Sequence, residues 1–262
     1  MEVRELGLKS AAVRKAVIRA GFNGSPAHFG SSLSCVDLLV ALYAAITDED
    51  TFILSKGHAA LALYATLAAF GKLDPAWEEL FNRDGSLYCS HHGYHPELGL
   101  NMVNGSLGLG LSFGIGKALS RQRLGRAGRV FVLCGNGELN EGSALEALMF
   151  AGAQSLVNFC LILDDNAIQL DGLSQNVLPV KDYAPLLKSL GFEVRECNGH
   201  DLSALREIYA PSRERSLAIV AHTVKGRGVS FMEGNPHWHH AKLSPEERDA
   251  ALREIEEACH AL

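Results

Sequence analysis

Gly135-Asn136-Gly137-Glu138-Leu139-Asn140-Glu141-Gly142 lies between an apolar run, Val130-Phe131-Val132-Leu133-Cys134, and a helix-forming run, Ala144-Leu145-Glu146-Ala147-Leu148-Met149-Phe150-Ala151. A second apolar run, Phe159-Cys160-Leu161-Ile162-Leu163, follows and stops at Asp164-Asp165-Asn166. Short apolar runs bounded by polar loops read as buried parallel strands. The order is strand, loop, helix, strand, loop. In a right-handed β-α-β unit both loops leave the sheet at its carboxyl edge. Asn136 and Asn166 are therefore expected to be neighbours in space. Two amide oxygens beside glycines that bare their N–H groups suit a hard cation and a diphosphate.

The pattern extends on both sides. Residues 2–20 set Val3, Leu6, Val13, Val17 and Ala20 at helical spacing. Turn formers follow over 23–30, and Ser34 reads as the N-cap of a helix carrying Leu38, Leu39, Leu42 and Tyr43. Residues 51–54 form a short strand ending in Ser55-Lys56-Gly57-His58, with a helix over about 59–70. His58 thus stands at a strand-to-helix junction, where ligands of parallel sheets gather. Gly105-Ser106-Leu107-Gly108-Leu109-Gly110 opens a helix reaching roughly Gln122. Beyond Asp171 the main breakers are Pro179 and Pro185. A helix is expected over 181–190, a strand over 192–194, a helix over 202–209 and a buried strand over 217–221. Ser244-Pro245-Glu246-Glu247 opens a capped terminal helix over 244–258.

Composition bounds the function. The 262 residues are 47% hydrophobic and 21% charged, ordinary for one large α/β domain spanning 1–262. A formal net charge of −6 argues against a nucleic-acid surface. The six cysteines make no CxxC pair, and Cys134 and Cys160 sit in apolar runs as small core residues. A reducing, cytoplasmic setting is expected. No signal-peptide pattern is visible, and no apolar run approaches the ~20 residues of a membrane span. His91, His92 and His95 crowd the irregular segment 81–104. With His28 and His58 they suggest zinc, but no cysteine or carboxylate completes a zinc-type set. His237-Trp238-His239-His240 also admits a reading as a surface metal trap.

The stretches from Gly135 and to Asn166 resemble the diphosphate-binding motif of thiamine diphosphate enzymes. Their flanks, Glu138–Gly142 and Asp165-Asn166-Ala167-Ile168-Gln169-Leu170-Asp171-Gly172, resemble transketolases in particular. Ser55–His58, Gly105–Gly108, and His222-Thr223-Val224-Lys225-Gly226-Arg227-Gly228 with Trp238-His239 fit the same family. The resemblance covers nearly the whole chain, but only the amino-terminal part of a full-length transketolase.

The resemblance implies a three-layer α/β/α fold with a mainly parallel sheet, the thiamine diphosphate-binding fold. It implies Mg²⁺ (or Ca²⁺) held by the side chains of Asn136 and Asn166 and the carbonyl of Ile168. Gly137, Glu138, His58, Gly105, Ser106 and Leu107 would bind the cofactor, with Asn166 and Ile168. His28, His239, and either His92 or His95 would contact the donor substrate. His95-Pro96-Glu97 keeps the local letters of the family, whereas His92 keeps the distance to Gly105. Glu141 matches a glutamate that communicates across the subunit interface; it reads equally as a helix N-terminal acid favoured by the dipole.

The chain departs from the family at several points. Asn136 replaces the usual Asp, which keeps an oxygen and loses a charge. Ala27 and Ser31 replace glycines around His28, and His240 replaces the glycine after Trp-His. The domain whose carboxylate activates the cofactor is not represented within these residues. The expected protein is therefore one half of a split, two-chain transketolase, active only with a carboxy-terminal subunit that carries the pyrimidine-binding domain. Two copies of each chain would form a heterotetramer acting on a small sugar or keto substrate in carbohydrate metabolism. Two alternatives remain: a subunit of a 2-oxo acid decarboxylase or acyloin synthase, and a non-catalytic partner that keeps the fold.

Overall fold

The fold is described from a computed structural model over residues 1–170, 172–178, 182–212 and 214–260. Three consecutive strands, β1 (Thr51–Leu54), β2 (Val130–Gly135) and β3 (Phe159–Asp165), lie side by side. Two more short strands, β4 (Ile168–Gln169) and β5 (Gly172–Leu173), form a separate antiparallel pair just after β3. The main sheet is completed by β6 (Glu193–Asn198) and β7 (Leu217–His222), in the order β1-β2-β3-β7-β6, with every neighbouring pair parallel.

Side chains on a strand alternate between faces, and here both faces are covered. Phe131, Leu133, Cys160, Ile162, Ile219 and Ala221 face one apolar layer. Val130, Val132, Leu161, Leu163, Ala218 and Val220 face the other. The first layer holds α1 (Val3–Gly21), α2 (Phe29–Ser34), α3 (Val36–Ala45) and α4 (Ala60–Ala69). A single turn, α5 (Trp77–Leu80), buries Trp77 there. The second layer holds α6 (Leu109–Arg123), α7 (Gly142–Gln154) and, after the one-turn α8 (Ser174–Val177), α9 (Tyr183–Ser189). The last two helices, α10 (Leu202–Ile208) and α11 (Pro245–His260), return to the first layer. This is the expected three-layer arrangement with a parallel sheet.

Several local expectations shift. Ser34 ends α2 instead of capping α3; its hydroxyl donates 2.6 Å to the buried Asp164 carboxylate, a stronger acceptor than water at a helix end. Helix α6 starts at Leu109, not Gly105, because Gly108 has φ +81 and lies under Ser143 and Glu141. β6 starts at Glu193 and runs to Asn198, beyond the expected 192–194, because an edge strand tolerates polar residues. Lys181, Pro179 and Asp171 fall outside the described residues; α9 is capped by Asp182, whose carboxylate accepts from the Ala184 N–H at 3.0 Å. The terminal helix has a full capping box. Ser244 N–H donates to Glu247 at 2.8 Å, and Glu247 N–H to Ser244 Oγ at 3.1 Å.

Candidate active site

Parallel strands end together, so their following loops converge. Here Gly135 pairs with Asp164, and Asp165 with His222. The loops after β1, β2, β3 and β7 enclose a cavity of about 380 Å³. Asn136 and Asn166 both line it, as the β-α-β argument requires.

Beneath the cavity lies an ion pair, Lys56 with Asp164, both essentially inaccessible to solvent. Burial alone would raise the Asp164 pKa, but the Lys56 ammonium, with Ser34 and Thr223 hydroxyls, holds it below the usual value. Burial likewise works against the Lys56 charge, and Asp164 outweighs it, so its pKa is raised. Lys56 Nζ also donates to the Ser31 carbonyl at 2.9 Å. One buried pair thus joins the ends of β1 and β3 to α2.

Glu138 performs a similar joining role beside that pair. Its carboxylate accepts from Ser55 Oγ at 2.5 Å, Gly108 N–H at 2.9 Å and Gly135 N–H at 3.3 Å. Burial raises its pKa against these donors. Glu138 therefore borders the cavity with its oxygens already engaged by the chain.

The wall carries imidazoles. His28, His58, His91 and His239 all line the cavity. Burial is the leading cause that lowers the His28 pKa to about 3 and that of His239 to about 4. His58 is lowered well below its ordinary value by burial and by Lys56. These rings are neutral near pH 7 and able to donate or accept hydrogen bonds. Lys225 completes the wall. Burial, then repulsion from Lys56, lowers its pKa to about 8. Its backbone is held from outside: His200 Nε2 accepts from the Val224 N–H at 2.8 Å, while His200 Nδ1 contacts Asp37 at 2.8 Å.

The cavity suits a diphosphate. Lys225 has no ion-pair partner among the described residues. Gln169 Nε2 and His28 Nδ1 are buried donors or acceptors without partners. A Cβ on Gly105 would meet nothing within 4 Å, so backbone faces open space there. The expected divalent-ion donors are also adjacent, but they carry no charge. Asn136 Nδ2 donates to Ser174 at 2.6 Å, and Asn166 Oδ1 accepts from Ile168 N–H at 3.2 Å. Ala167, with φ +59, makes the turn between them. Among the described residues no three His, Cys, Asp or Glu side chains are arranged to hold a metal. Neutral amide and carbonyl oxygens fit a hard cation.

The structure brings together His28, His58, Gly105, Leu107, Asn136, Gly137, Glu138, Glu141, Asn166, Ile168 and His239. Ser106, exposed, is not on the cavity wall. Nor are His92 and His95; His91 stands there instead. His92 is 1% exposed, with Nδ1–H donating to the Gly93 carbonyl at 2.9 Å and its ring edge-on to Tyr64. His95 is half-buried, with Nδ1 3.4 Å from the Glu97 carboxylate and its backbone bridged to Leu100. Lys56, Lys225, Gln169 and His91 carried no site assignment from sequence. The signal available for Lys56 was its position between Ser55 and Gly57 at a strand end.

The family model for the transketolase thiamine diphosphate binding domain matches residues 41–256. An apulose-4-phosphate transketolase subunit of Phocaeicola vulgatus is 32% identical, over 98% of this chain and 96% of that protein. The 6-deoxy-6-sulfo-D-fructose transketolase subunit SqwG of a Clostridium species is 34% identical, over 87% and 88% respectively. The transketolase crystal structure from Campylobacter jejuni superposes with a TM-score of 0.90 at 25% identity, over 98% of this chain but only 43% of that one. Cavity, fold and relatives agree: this chain belongs to the transketolase family and is its amino-terminal, thiamine diphosphate-binding subunit.

Proposed function

We propose that this subunit works with a second chain to move a two-carbon ketol unit from a ketose to an aldehyde. The observation that carries this reading is the single cavity shared by a diphosphate-suited floor and a wall of neutral imidazoles. When bound, thiamine diphosphate supplies the electron sink for breaking and making the carbon–carbon bond. The chain's own residues bind and orient. Lys225, Gly137 and His58 would bind the diphosphate, and Asn136, Asn166 and the Ile168 carbonyl would hold Mg²⁺ or Ca²⁺. His28, His239 and His91 offer hydrogen bonds to the donor's hydroxyl groups and can pass protons among them.

Relatives named for apulose-4-phosphate and 6-deoxy-6-sulfo-D-fructose favour a donor ketose with an anionic group at its far end. The partner is taken to be a carboxy-terminal transketolase subunit, in an assembly of two copies of each chain, acting in the cytoplasm. An exposed apolar face supports a contact between chains: Leu109 and Phe113 on α6, with Leu145, Met149 and Phe150 on α7, are 36–60% exposed. Glu141 begins α7 without capping it and is available to cross such an interface. Among the described residues no helix is long and apolar enough to cross a membrane.

The test is reconstitution. The purified chain should bind thiamine diphosphate but transfer no ketol unit, and adding the partner chain should restore transfer from a ketose phosphate. Robust transfer by the chain alone would sink the two-chain reading. Cofactor binding with no turnover after pairing would point to a non-catalytic role, and turnover of 2-oxo acids alone to a decarboxylase or acyloin synthase.

A further inference from the structure

His240 occupies a position where the family pattern has glycine, and its ring packs on His28. The centroids are 4.4 Å apart and the planes 27° from parallel. The other rings around His28 meet it tilted or edge-on: His58 at 55°, His91 at 82° and His239 at 85°. Of these four rings, His240 alone stacks on the imidazole.

The backbone fixes this contact. Ala27 N–H donates to the Ala241 carbonyl at 2.8 Å, and Ala241 N–H to the Ala27 carbonyl at 3.1 Å, an antiparallel bridge. Residues that flank such a bridge on opposite strands face each other. His28 and His240 are therefore opposed by register. His28 Nδ1 is buried and has no hydrogen-bond partner. Its orientation rests on packing, which leaves that nitrogen free for a ligand. Glycine at 240 would open the same face to water.

We propose that His240 is a positioning residue for the transfer reaction: it fixes the His28 imidazole and closes one side of the cavity mouth, so that the donor ketose meets His28 from the side of His91 and His239. The donor clause rests on the two-chain reading given above. The groups that act on His28 are the imidazoles of His240, His239 and His91 and the amine of Lys225, with the His58 ring beside it; Glu138 and Glu141 line the same cavity.

The first test needs neither cofactor nor partner, so its failure is distinct from failure of the two-chain reading. In the full chain with labelled histidines, the His28 resonances, assigned with His28→Gln, are followed by NMR from pH 8 to pH 4. Wild type and His240→Phe should keep His28 neutral through pH 5. His240→Gly should raise its midpoint by about one unit or more as the face hydrates, and broaden its signals. The same titration in wild type and His240→Gly would overturn the proposal. In the assembled enzyme with xylulose 5-phosphate, His240→Gly should raise the donor KM about five- to tenfold with kcat within about twofold. His240→Phe should restore KM. Unchanged KM in His240→Gly, or an equal loss in both variants, would overturn the positioning role.

Discussion

Lys225 Nζ lies 3.0 Å from His239 Nδ1. The amine donates, so the imidazole nitrogen must be unprotonated, in keeping with a His239 pKa of about 4. The lysine is the cavity's free counter-charge for an anion. Replacing it, as in Lys225→Met, should weaken thiamine diphosphate binding roughly ten- to a hundredfold by calorimetry. With a pKa of about 8, the amine is charged below that pH and neutral above it. Affinity should therefore be level near pH 7 and fall as pH rises through 8, and Lys225→Met should lose that slope. Unchanged affinity in the variant would rule the lysine out as counter-charge.

Asn136 should make the cofactor site less dependent on a divalent ion than a carboxylate would. A carboxylate adds a unit charge to the cation, offset by its desolvation, for a net gain of roughly 1–3 kcal/mol. Asn136→Asp should then tighten Mg²⁺-dependent thiamine diphosphate binding about ten- to a hundredfold, and Asn136→Ala should weaken it. Chelating the metal should cost the Asp variant more affinity than the wild type. If neither substitution changes the calorimetric titration, position 136 is not a ligand.

The buried pair under the cavity should dominate stability locally. Lys56→Met leaves the Asp164 carboxylate uncompensated, and Asp164→Leu leaves the ammonium so. Each should cost about 3–5 kcal/mol in denaturant unfolding, and the double variant should recover much of the loss. Additive losses in the double variant would mean that the two groups do not depend on each other.

The neutral imidazoles should make the fold acid-sensitive. His28 and His239 titrate near 3 and 4 in the folded chain, and near 6.5 when unfolded. The unfolded state therefore binds more protons between those values. The contribution is fully present above pH ~6.5 and is lost as pH falls towards 4. The melting temperature should drop by about 5 °C or more between pH 7 and pH 5. The double variant His28→Gln/His239→Gln should show a flatter profile over that interval.

How far the sequence reached depended on the kind of pattern. Strands β2 and β3 were legible because uninterrupted apolar runs end abruptly in polar loops. From that ending the meeting of Asn136 and Asn166 follows by topology alone. The chain's departures at 136 and 240 were also visible as letters. Side-chain direction in the irregular segment 81–104 was not legible. His91 lines the cavity, His92 is buried against Tyr64 and His95 bridges Leu100, and no periodicity over 81–104 announces that division. Lys56 and Lys225 were missed because charged residues at strand ends are usually read as solvated. Here Asp164 compensates one, and the other is left open to the cavity. Ser34 read as a cap because Ser often is one. Its partner, Asp164, is 130 residues away, a distance at which local rules are silent.

Glu138 joins Ser55, Gly135 and Gly108, three segments that meet only in the folded chain. All of those contacts are internal to this polypeptide. The mould for the diphosphate end is therefore cast when the chain folds, before any second chain docks. In the two-chain reading proposed above, loading of the cofactor would then precede pairing, because the holder of the diphosphate end owes none of these contacts to another polypeptide.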